Sequence, residues 1–216
     1  MSREQRRIQK QLSLIRSIDP AGLMDPRQRF EHGIKDLAAG GVFRLDGRTF
    51  LVEAIGTYTE TDDTYSKTLD WRGHELKAVA LETGMAHNLE WEEDDEIEVS
   101  LTTEEIKMAR LAYDDGEPVA ADSDDLDEIV EKGWDVSYGD VLFHYEDDYA
   151  AVYRRGGDGE SREKVYFYEF EADDGTQLTI ETWIVRDDRE DFQVFLSRAV
   201  DPEAIEVLAT GQANHA

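Results

Sequence analysis

Two glutamates beside tryptophans are the residues of this sequence best suited to recognising a ligand. Glu90 precedes Trp91, and Glu181 lies two residues before Trp183. A carboxylate attracts a cation by charge, and the face of an indole ring attracts it through the cation-π interaction. The two pairs therefore predict a site for a small cation such as a polyamine. The same pattern also arises when tryptophan fills a core and glutamate points to solvent, because strand residues alternate between faces.

The other potentially reactive residues match no catalytic or metal-binding motif. The histidines are isolated and lack the spacings that bring two ligands onto one metal: His32, His74, His87 and His144. There is no Gly-x-Ser-x-Gly nucleophile elbow, which argues against a serine hydrolase. Gly156-Gly157-Asp158-Gly159 lacks the Lys-Ser/Thr of a phosphate loop and indicates a hairpin tip. We therefore predict no catalytic residue, no metal site and no cofactor, and a protein that is not an enzyme.

Paired aspartates recur along the chain and could serve as acid and base or as cation ligands. The pairs are Asp62-Asp63, Asp94-Asp95, Asp147-Asp148 and Asp187-Asp188. Nearly all of them fall at predicted turns, where aspartate is favoured because its side chain bonds to nearby backbone. This pattern favours a structural role for the pairs.

The composition of the 216-residue chain limits its possible partners. It has 51 acidic and 23 basic residues, a formal net charge of -28, 40% hydrophobic residues and no cysteine. Such acidity argues against nucleic-acid binding, which needs basic residues to neutralise phosphates. The absence of cysteine excludes disulfides and thiol chemistry. No apolar run approaches the ~20 residues of a membrane span, and we expect an acidic prokaryotic protein of the cytoplasm.

Residues 1–38 form a basic helical arm that differs from the rest of the chain. Its first 18 residues carry one acid and five bases, which are Arg3, Arg6, Arg7, Lys10 and Arg16. Ile8, Leu12 and Ile15 recur at helical spacing and predict an apolar stripe. Such a helix can fold back on the acidic body, dock an acidic protein, or lie on anionic lipid at the membrane periphery. Docking on the body is favoured, because an isolated helix of this length is marginal in water.

From Val42 onward the hydrophobic period changes from that of a helix to that of strands. Asp46-Gly47 and Asp174-Gly175 predict tight hairpin turns between such strands. Thr102 followed by Glu105 matches a capping box and predicts a helix after the strand that ends at Leu101. The pattern is typical of an α+β fold that is predominantly antiparallel β.

The order of elements repeats along the chain and predicts two related β-rich halves, as small sheets or partly open barrels with short helices. Residues 39–113 form the first half with a C-terminal helix, and residues 134–208 form the second half. We expect residues 114–133 to form an acidic linker with a short helix ended by Gly133. We expect residues 209–216 to form a mobile tail. Glu90 and Glu181 occupy similar places in the two halves.

The second half resembles a known family. The residues that carry the resemblance are Gly139 to Phe143, Tyr149 to Val152, Tyr166 to Glu171, Asp174-Gly175 and Leu178 to Trp183. They resemble the C-terminal part of the domain-of-unknown-function family DUF4178, and Gly41 to Gly56 resembles its N-terminal part. The resemblance spans about residues 40 to 200. Trp71 to Leu76 keeps only part of the family's pattern.

The resemblance implies a β-rich prokaryotic domain without an assigned activity, often encoded beside membrane-stress and polyamine-synthesis genes. Together with the absence of catalytic motifs, it predicts a non-enzymatic interaction or adaptor module whose partner is a protein. The alternative is a polyamine or small-cation binding protein, or an enzyme acting on such a ligand, that uses Glu90, Trp91, Glu181 and Trp183.

Overall fold

The computed structural model describes residues 3–113, 116–120, 122–156, 162–185 and 189–211, which form one antiparallel sheet with two α-helices. The helices are α1 (Arg3–Ser17) and α2 (Ser123–Lys132). The strands are β1 (Val42–Leu45), β2 (Arg48–Thr61), β3 (Thr68–Ala80), β4 (Ala86–Glu93), β5 (Ile97–Ile106), β6 (Leu111–Tyr113), β7 (Val136–Tyr138), β8 (Val141–Arg155), β9 (Arg162–Glu171), β10 (Thr176–Ile184), β11 (Glu190–Ala199) and β12 (Glu206–Ala209). The predominantly antiparallel β class is therefore confirmed.

Eight of these strands close into a ring, which we call the closed sheet. Their order is β2-β3-β4-β5-β11-β10-β9-β8, and β2 pairs with β8 through residues 56–61 and 150–155. The first four strands and the last four belong to the two predicted halves. They share one sheet because β5 pairs with β11 and β2 pairs with β8. The expectation of two separate small sheets or partly open barrels is thus wrong.

Both predicted hairpins are present, and two strands are longer than the sequence indicates. Asp46-Gly47 joins β1 to β2, with Asp46 at φ 50° and Gly47 at φ 74°. The turn at Asp174-Gly175 joins β9 to β10. The sequence predicts separate strands at residues 65–71 and 75–81, and again at residues 141–145 and 149–154. β3 unites the first two segments, and β8 unites the last two. In β8, a bulge between Tyr145 and Asp147 carries the chain through its acidic segment without ending the strand.

The short helix of the acidic segment is confirmed, while the helix expected after Thr102 is absent. In α2, Asp122 accepts a hydrogen bond from the Asp125 amide, and Gly133 ends the helix at φ 59°. Thr102 instead lies within β5 and pairs with Ser197 of β11. Pairing with a distant strand thus overrides the local capping signal, and only a short 3₁₀ turn follows at Met108–Arg110.

Three other predicted helical segments can be compared with the structure. The N-terminal helix is confirmed as α1. The sequence also predicts a short helix from about Pro26 to Leu37, broken by Gly40-Gly41, but two 3₁₀ turns, Arg29–Glu31 and Ile34–Asp36, lie there instead. It further predicts a terminal helix turn from Pro202 to Leu208, which is present at Pro202–Ala204, but β12 follows it. Gly157–Gly159 of the predicted hairpin tip, Asp187-Asp188 and most of the predicted tail lie outside the described residues.

The two largest apolar clusters lie on the outer face of the closed sheet. Leu76, Leu89 and Leu101 are direct partners across β3, β4 and β5, and they join an apolar cluster with β1 and β12. On the other side, Leu126 and Ile129 of α2 pack in a second cluster against β8 to β11. Because side chains alternate along a strand, the neighbouring residues of these leucines point to the interior of the ring.

Helix α1 packs on the body, as the docking alternative expects. Leu14 and Ile18 contact an apolar cluster formed by Val42, Leu51 and Ala209. The Gln11 side-chain amide donates hydrogen bonds to the carbonyls of Leu81 and Glu82, at 3.2 and 2.7 Å. Neither described helix has the length and apolar character needed to cross a bilayer.

Candidate functional site

The interior of the closed sheet contains a cavity of about 640 Å³. Every strand of the ring contributes at least one residue to its lining. In the order β2, β3, β4, β5, β8, β9, β10 and β11, they include Tyr58, Trp71, Glu90, Ser100, Tyr149, Phe167, Gln177 and Ala199. A volume of this size lies within the range of small-molecule sites, about 300 to 1,000 Å³. The cavity is therefore large enough for a small organic ligand.

The lining of the cavity is acidic. Its carboxylates are Glu60, Glu90, Glu92, Glu98, Asp147, Asp148 and Glu169. None of the described residues that line it is lysine or arginine, and His74 is the histidine among them. An anionic ligand would be repelled by such a lining, whereas a cation would be attracted. This interior cavity is the candidate site.

Glu90 lies at the centre of the acidic interior. It is paired directly with Glu75 of β3 and Ser100 of β5, so the three side chains share the inner face. Burial raises the pKa of Glu90 well above its usual value, and the nearby charges of Glu181 and Glu75 raise it further. Burial and these nearby charges therefore favour the protonated form of this carboxyl group.

Glu181 and Trp183 also meet on the inner face. Their separation of two residues places both side chains on one face of β10, and the indole Nε1 of Trp183 donates a 2.7 Å hydrogen bond to Glu181. Glu181 is 4% exposed. Burial raises its pKa to about 8, although the indole hydrogen bond opposes this effect. Glu181 thus retains a proton over much of the neutral range.

Glu75 is a buried acid on the inner face beside the cavity, and sequence reasoning missed it. It is 2% exposed, and it accepts a 2.6 Å hydrogen bond from the Tyr153 hydroxyl. Gly56 of β2 provides the space for this ring, because a Cβ there would lie 2.3 Å from it. The alternation of side chains along a strand could have indicated this position. Glu75 is adjacent to Leu76, whose side chain belongs to the outer apolar cluster, so the Glu75 side chain points to the interior.

Glu169 is the second acid missed by sequence reasoning. It lies on β9 opposite Thr179, and it accepts a 3.0 Å hydrogen bond from the Tyr149 hydroxyl. Burial raises the pKa of Glu169 to about 7, and the charges of Asp147 and Glu92 act in the same direction. A carboxyl group with this pKa can exchange a proton for a cation near neutral pH.

Aromatic rings fill the interior between these acids. Trp71 meets Tyr149 edge to face at 5.1 Å between centroids, and Tyr149 stacks on Phe167 at 4.8 Å. The indole of Trp71 also donates a hydrogen bond to Glu92. Tyr58 packs against Phe167 and Tyr153. The cavity therefore offers apolar ring surface between its carboxylates.

Trp91 is the predicted site residue that does not share the inner face. It alternates with Glu90 on β4, packs against the outer apolar cluster, and stacks on His74 at 4.0 Å between ring centroids. Both rings also border the cavity. Burial lowers the pKa of His74, with the charge of Arg72 acting in the same direction. Of the four predicted site residues, Glu90 and Trp91 line the cavity, whereas Glu181 and Trp183 lie on the inner face beside it and are not among its described lining residues.

The basic residues predicted to contact a partner belong to α1 and are not among the described lining residues of the cavity. Arg6, Lys10 and Arg16 are exposed. Ile8, Leu12 and Ile15 are also exposed, by 46, 46 and 51%. Arg3 and Arg7 lie in the same helix. The cavity and the exposed side of α1 are therefore separate features of the surface.

Comparisons with known proteins add a family and no activity. Residues 38–202 match the family model described as "Domain of unknown function (DUF4178)". No curated protein and no solved structure matches the chain. Within the described residues, no group of three or more histidine, aspartate or glutamate side chains is arranged to hold a metal ion.

Proposed function

The chain belongs to the DUF4178 family, whose function is unknown, and we propose that it is a binding protein for an elongated organic cation of the polyamine class. The observation that carries this proposal is the cavity inside the closed sheet, with its acidic and aromatic lining. The ligand would enter this interior and replace the protons of its carboxyl groups.

The carboxylates support a cationic ligand. Glu75, Glu90, Glu169 and Glu181 share the interior, and burial raises the pKa of the last three. A buried charge without a partner is costly, so these groups take up protons when no cation is present. An ammonium group that enters would supply the missing positive charge and allow the carboxyl groups to ionise.

The aromatic rings support an organic cation over a metal ion. Tyr58, Trp71, Tyr149 and Phe167 line the cavity beside the acids. A hydrated divalent ion requires oxygen ligands at short distances, and rings occupy much of this lining. Methylene groups between ammonium groups would pack on the rings, while the ammonium groups would face carboxylates and ring faces. A polyamine has this alternation of charge and apolar chain.

Calorimetry with spermidine and putrescine tests the proposal. We expect saturable binding to the wild-type chain and a loss of about tenfold or more in affinity for Glu90→Gln and Glu169→Gln, since a charge-assisted contact contributes about 1.5 to 3 kcal/mol. Glu131→Gln is the matched control, because Glu131 is an exposed residue of α2 and the substitution likewise replaces one carboxyl group by an amide. No heat at millimolar ligand, or equal losses in all three variants, would contradict the proposal.

An interaction or adaptor module is the second candidate function, and the exposed apolar residues of α1 favour it. Ile8, Leu12 and Ile15 have about half of their surface exposed while Leu14 and Ile18 pack on the body. We propose that a protein partner in the cytoplasm would contact this side of the helix, in the membrane-stress or polyamine-related setting that the family resemblance implies. Pull-down with wild type and Ile8→Glu tests this idea, and recovery of the same proteins by both would count against it.

A further inference from the structure

One ammonium group of the chain, that of Lys77, lies on the inner face beside the cavity and is not among its described lining residues. Lys77 follows Glu75 by two residues on β3, so both side chains lie on the inner face. Its Nζ lies 3.4 Å from Oε1 of Glu75 and 5.7 Å from the centroid of the Tyr153 ring. Tyr153 donates its hydrogen bond to the other oxygen of the same carboxylate. The chain's own ammonium thus has a carboxylate on one side and an aromatic ring on the other.

The strand register places Lys77 at one end of the ring. It lies opposite Ala54 of β2 and Asn88 of β4. Glu92 lies at the other end of β4, where it pairs with Glu98 of β5. The side chain of Lys77 is 44% exposed, in contrast to the 2% of Glu75. The ammonium therefore sits where the interior meets solvent, with the buried acids behind it.

The charge of Lys77 acts on two of the inner-face acids. It lowers the pKa of both Glu90 and Glu181, in opposition to the burial of these groups. A free ammonium group in the cavity would act on the same carboxylates with the same sign. Lys77 therefore provides part of the positive charge that a bound ligand would provide near Glu90 and Glu181.

We propose that Lys77 is a tethered cation that fills one ammonium position of the interior and so limits the number of ammonium groups that a ligand can place there. This inference rests on the proposed function and assigns a specificity-determining residue to the same site. When the Lys77 side chain is shortened, Glu75 and Tyr153 form a position that a free alkylammonium can enter. Removal of the atoms beyond Cβ leaves room for three carbons and one nitrogen, which is the size of n-propylammonium.

Chemical rescue of Lys77→Ala by n-propylammonium tests this inference. Thermal unfolding at pH 8 is followed with increasing n-propylammonium chloride, and tetramethylammonium chloride at equal concentration controls for ionic strength. We expect a saturable rise in Tm for Lys77→Ala, with an apparent affinity about tenfold above that of the wild type. Lys77→Arg keeps the charge and should respond as the wild type does. Lys164→Ala is the control for loss of a lysine, because Lys164 contacts Tyr65 through a cation-π interaction.

Two results would overturn the inference. One is an equal shift of Tm by n-propylammonium in Lys77→Ala, Lys164→Ala and the wild type. The other is an equal effect of the two ammonium salts on Lys77→Ala. If Lys77→Ala does not fold, Lys77→Ser serves in its place with the same expectations, because its short side chain also leaves this position open. The assay contains no polyamine, so a failed rescue rejects the role of Lys77 alone, whereas wild-type chain that does not bind spermidine rejects the proposed function.

Discussion

The Tyr153 hydroxyl of β8 donates a 2.6 Å hydrogen bond to the buried carboxylate of Glu75 on β3, over Gly56 of the intervening strand β2. This contact joins strands from the two predicted halves of the chain on the inner face of the ring. It also fixes Glu75 where Lys77 reaches it. The arrangement of the acidic interior therefore depends on an aromatic residue that lies 78 positions away in the sequence.

Tyr153→Phe should lower the free energy of unfolding by about 1 to 3 kcal/mol, because it removes the hydrogen-bond donor to one oxygen of the buried Glu75 carboxylate. Chemical denaturation at pH 7 measures the change. Tyr138→Phe is the control, since Tyr138 donates to Glu104 in an exposed position, and its effect should be small. Equal losses in the two variants would show that the buried bond has no special role.

Gly56→Ala should destabilise the protein through its contact with the same ring. A Cβ at Gly56 would lie 2.3 Å from the Tyr153 ring, so the ring must move. Overpacking of this kind costs about 1 to 3 kcal/mol. Gly22→Ala provides the comparison, because no heavy atom lies within 4 Å of a Cβ there. A Gly56→Ala protein as stable as Gly22→Ala would mean that the ring relaxes freely.

Stability should fall as pH rises from about 5 to 8. In the folded protein, burial raises the pKa of Glu169 to about 7 and that of Glu181 to about 8, above their usual value of 4.5. The folded state therefore binds more protons than the unfolded chain across this window, and the stabilisation present at low pH is lost as pH passes through the folded pKa values. Denaturation at several pH values in 0.5 M NaCl, which screens surface charge, measures the slope.

The same pH series on Glu181→Gln tests the cause of this slope. Glutamine keeps the shape of the side chain and has no proton to lose, so the decline should become shallower. Each pKa unit corresponds to about 1.4 kcal/mol of stability, and the gain should appear at pH 8 and vanish at pH 5. A slope unchanged from that of the wild type would assign the decline to other groups.

Leu14→Ala should lower Tm, whereas Ile8→Ala should leave it nearly unchanged. Leu14 packs against the apolar cluster of the body, and Ile8 is 46% exposed on the same helix. Loss of a partly buried leucine contact costs on the order of 1 kcal/mol. Calorimetric scans of the two variants make the comparison, and equal Tm values would contradict the packing of α1 on the body.

Local signals predicted the hairpins, the strand class and α2, because each depends on residues close together in the sequence. Asp46-Gly47 adopts the positive φ angles that the turn requires, and Gly133 ends α2 in the left-handed region. The helix expected at Thr102 failed because pairing with Ser197 decides the conformation there. Local patterns contain no information about such a distant strand.

The site could be predicted in part for the same reason. Glu181 and Trp183 lie on one face by parity, and their contact was within reach of the sequence. The sequence did not predict that β2 pairs with β8 and closes the ring. This closure turns one face of the sheet into the interior of the ring. Glu75 and Glu169 therefore remained hidden among ordinary strand acids. The duplication of the two halves stays a prediction, which an alignment of the two halves across family members would test.

A crystal structure of the chain grown with spermidine tests the central claim most directly. We expect density for spermidine inside the closed sheet, with ammonium groups beside Glu90 and Glu169 and methylene groups against Tyr149 and Phe167. Spermidine found only among exposed acids of the outer surface, with the interior empty, would contradict it.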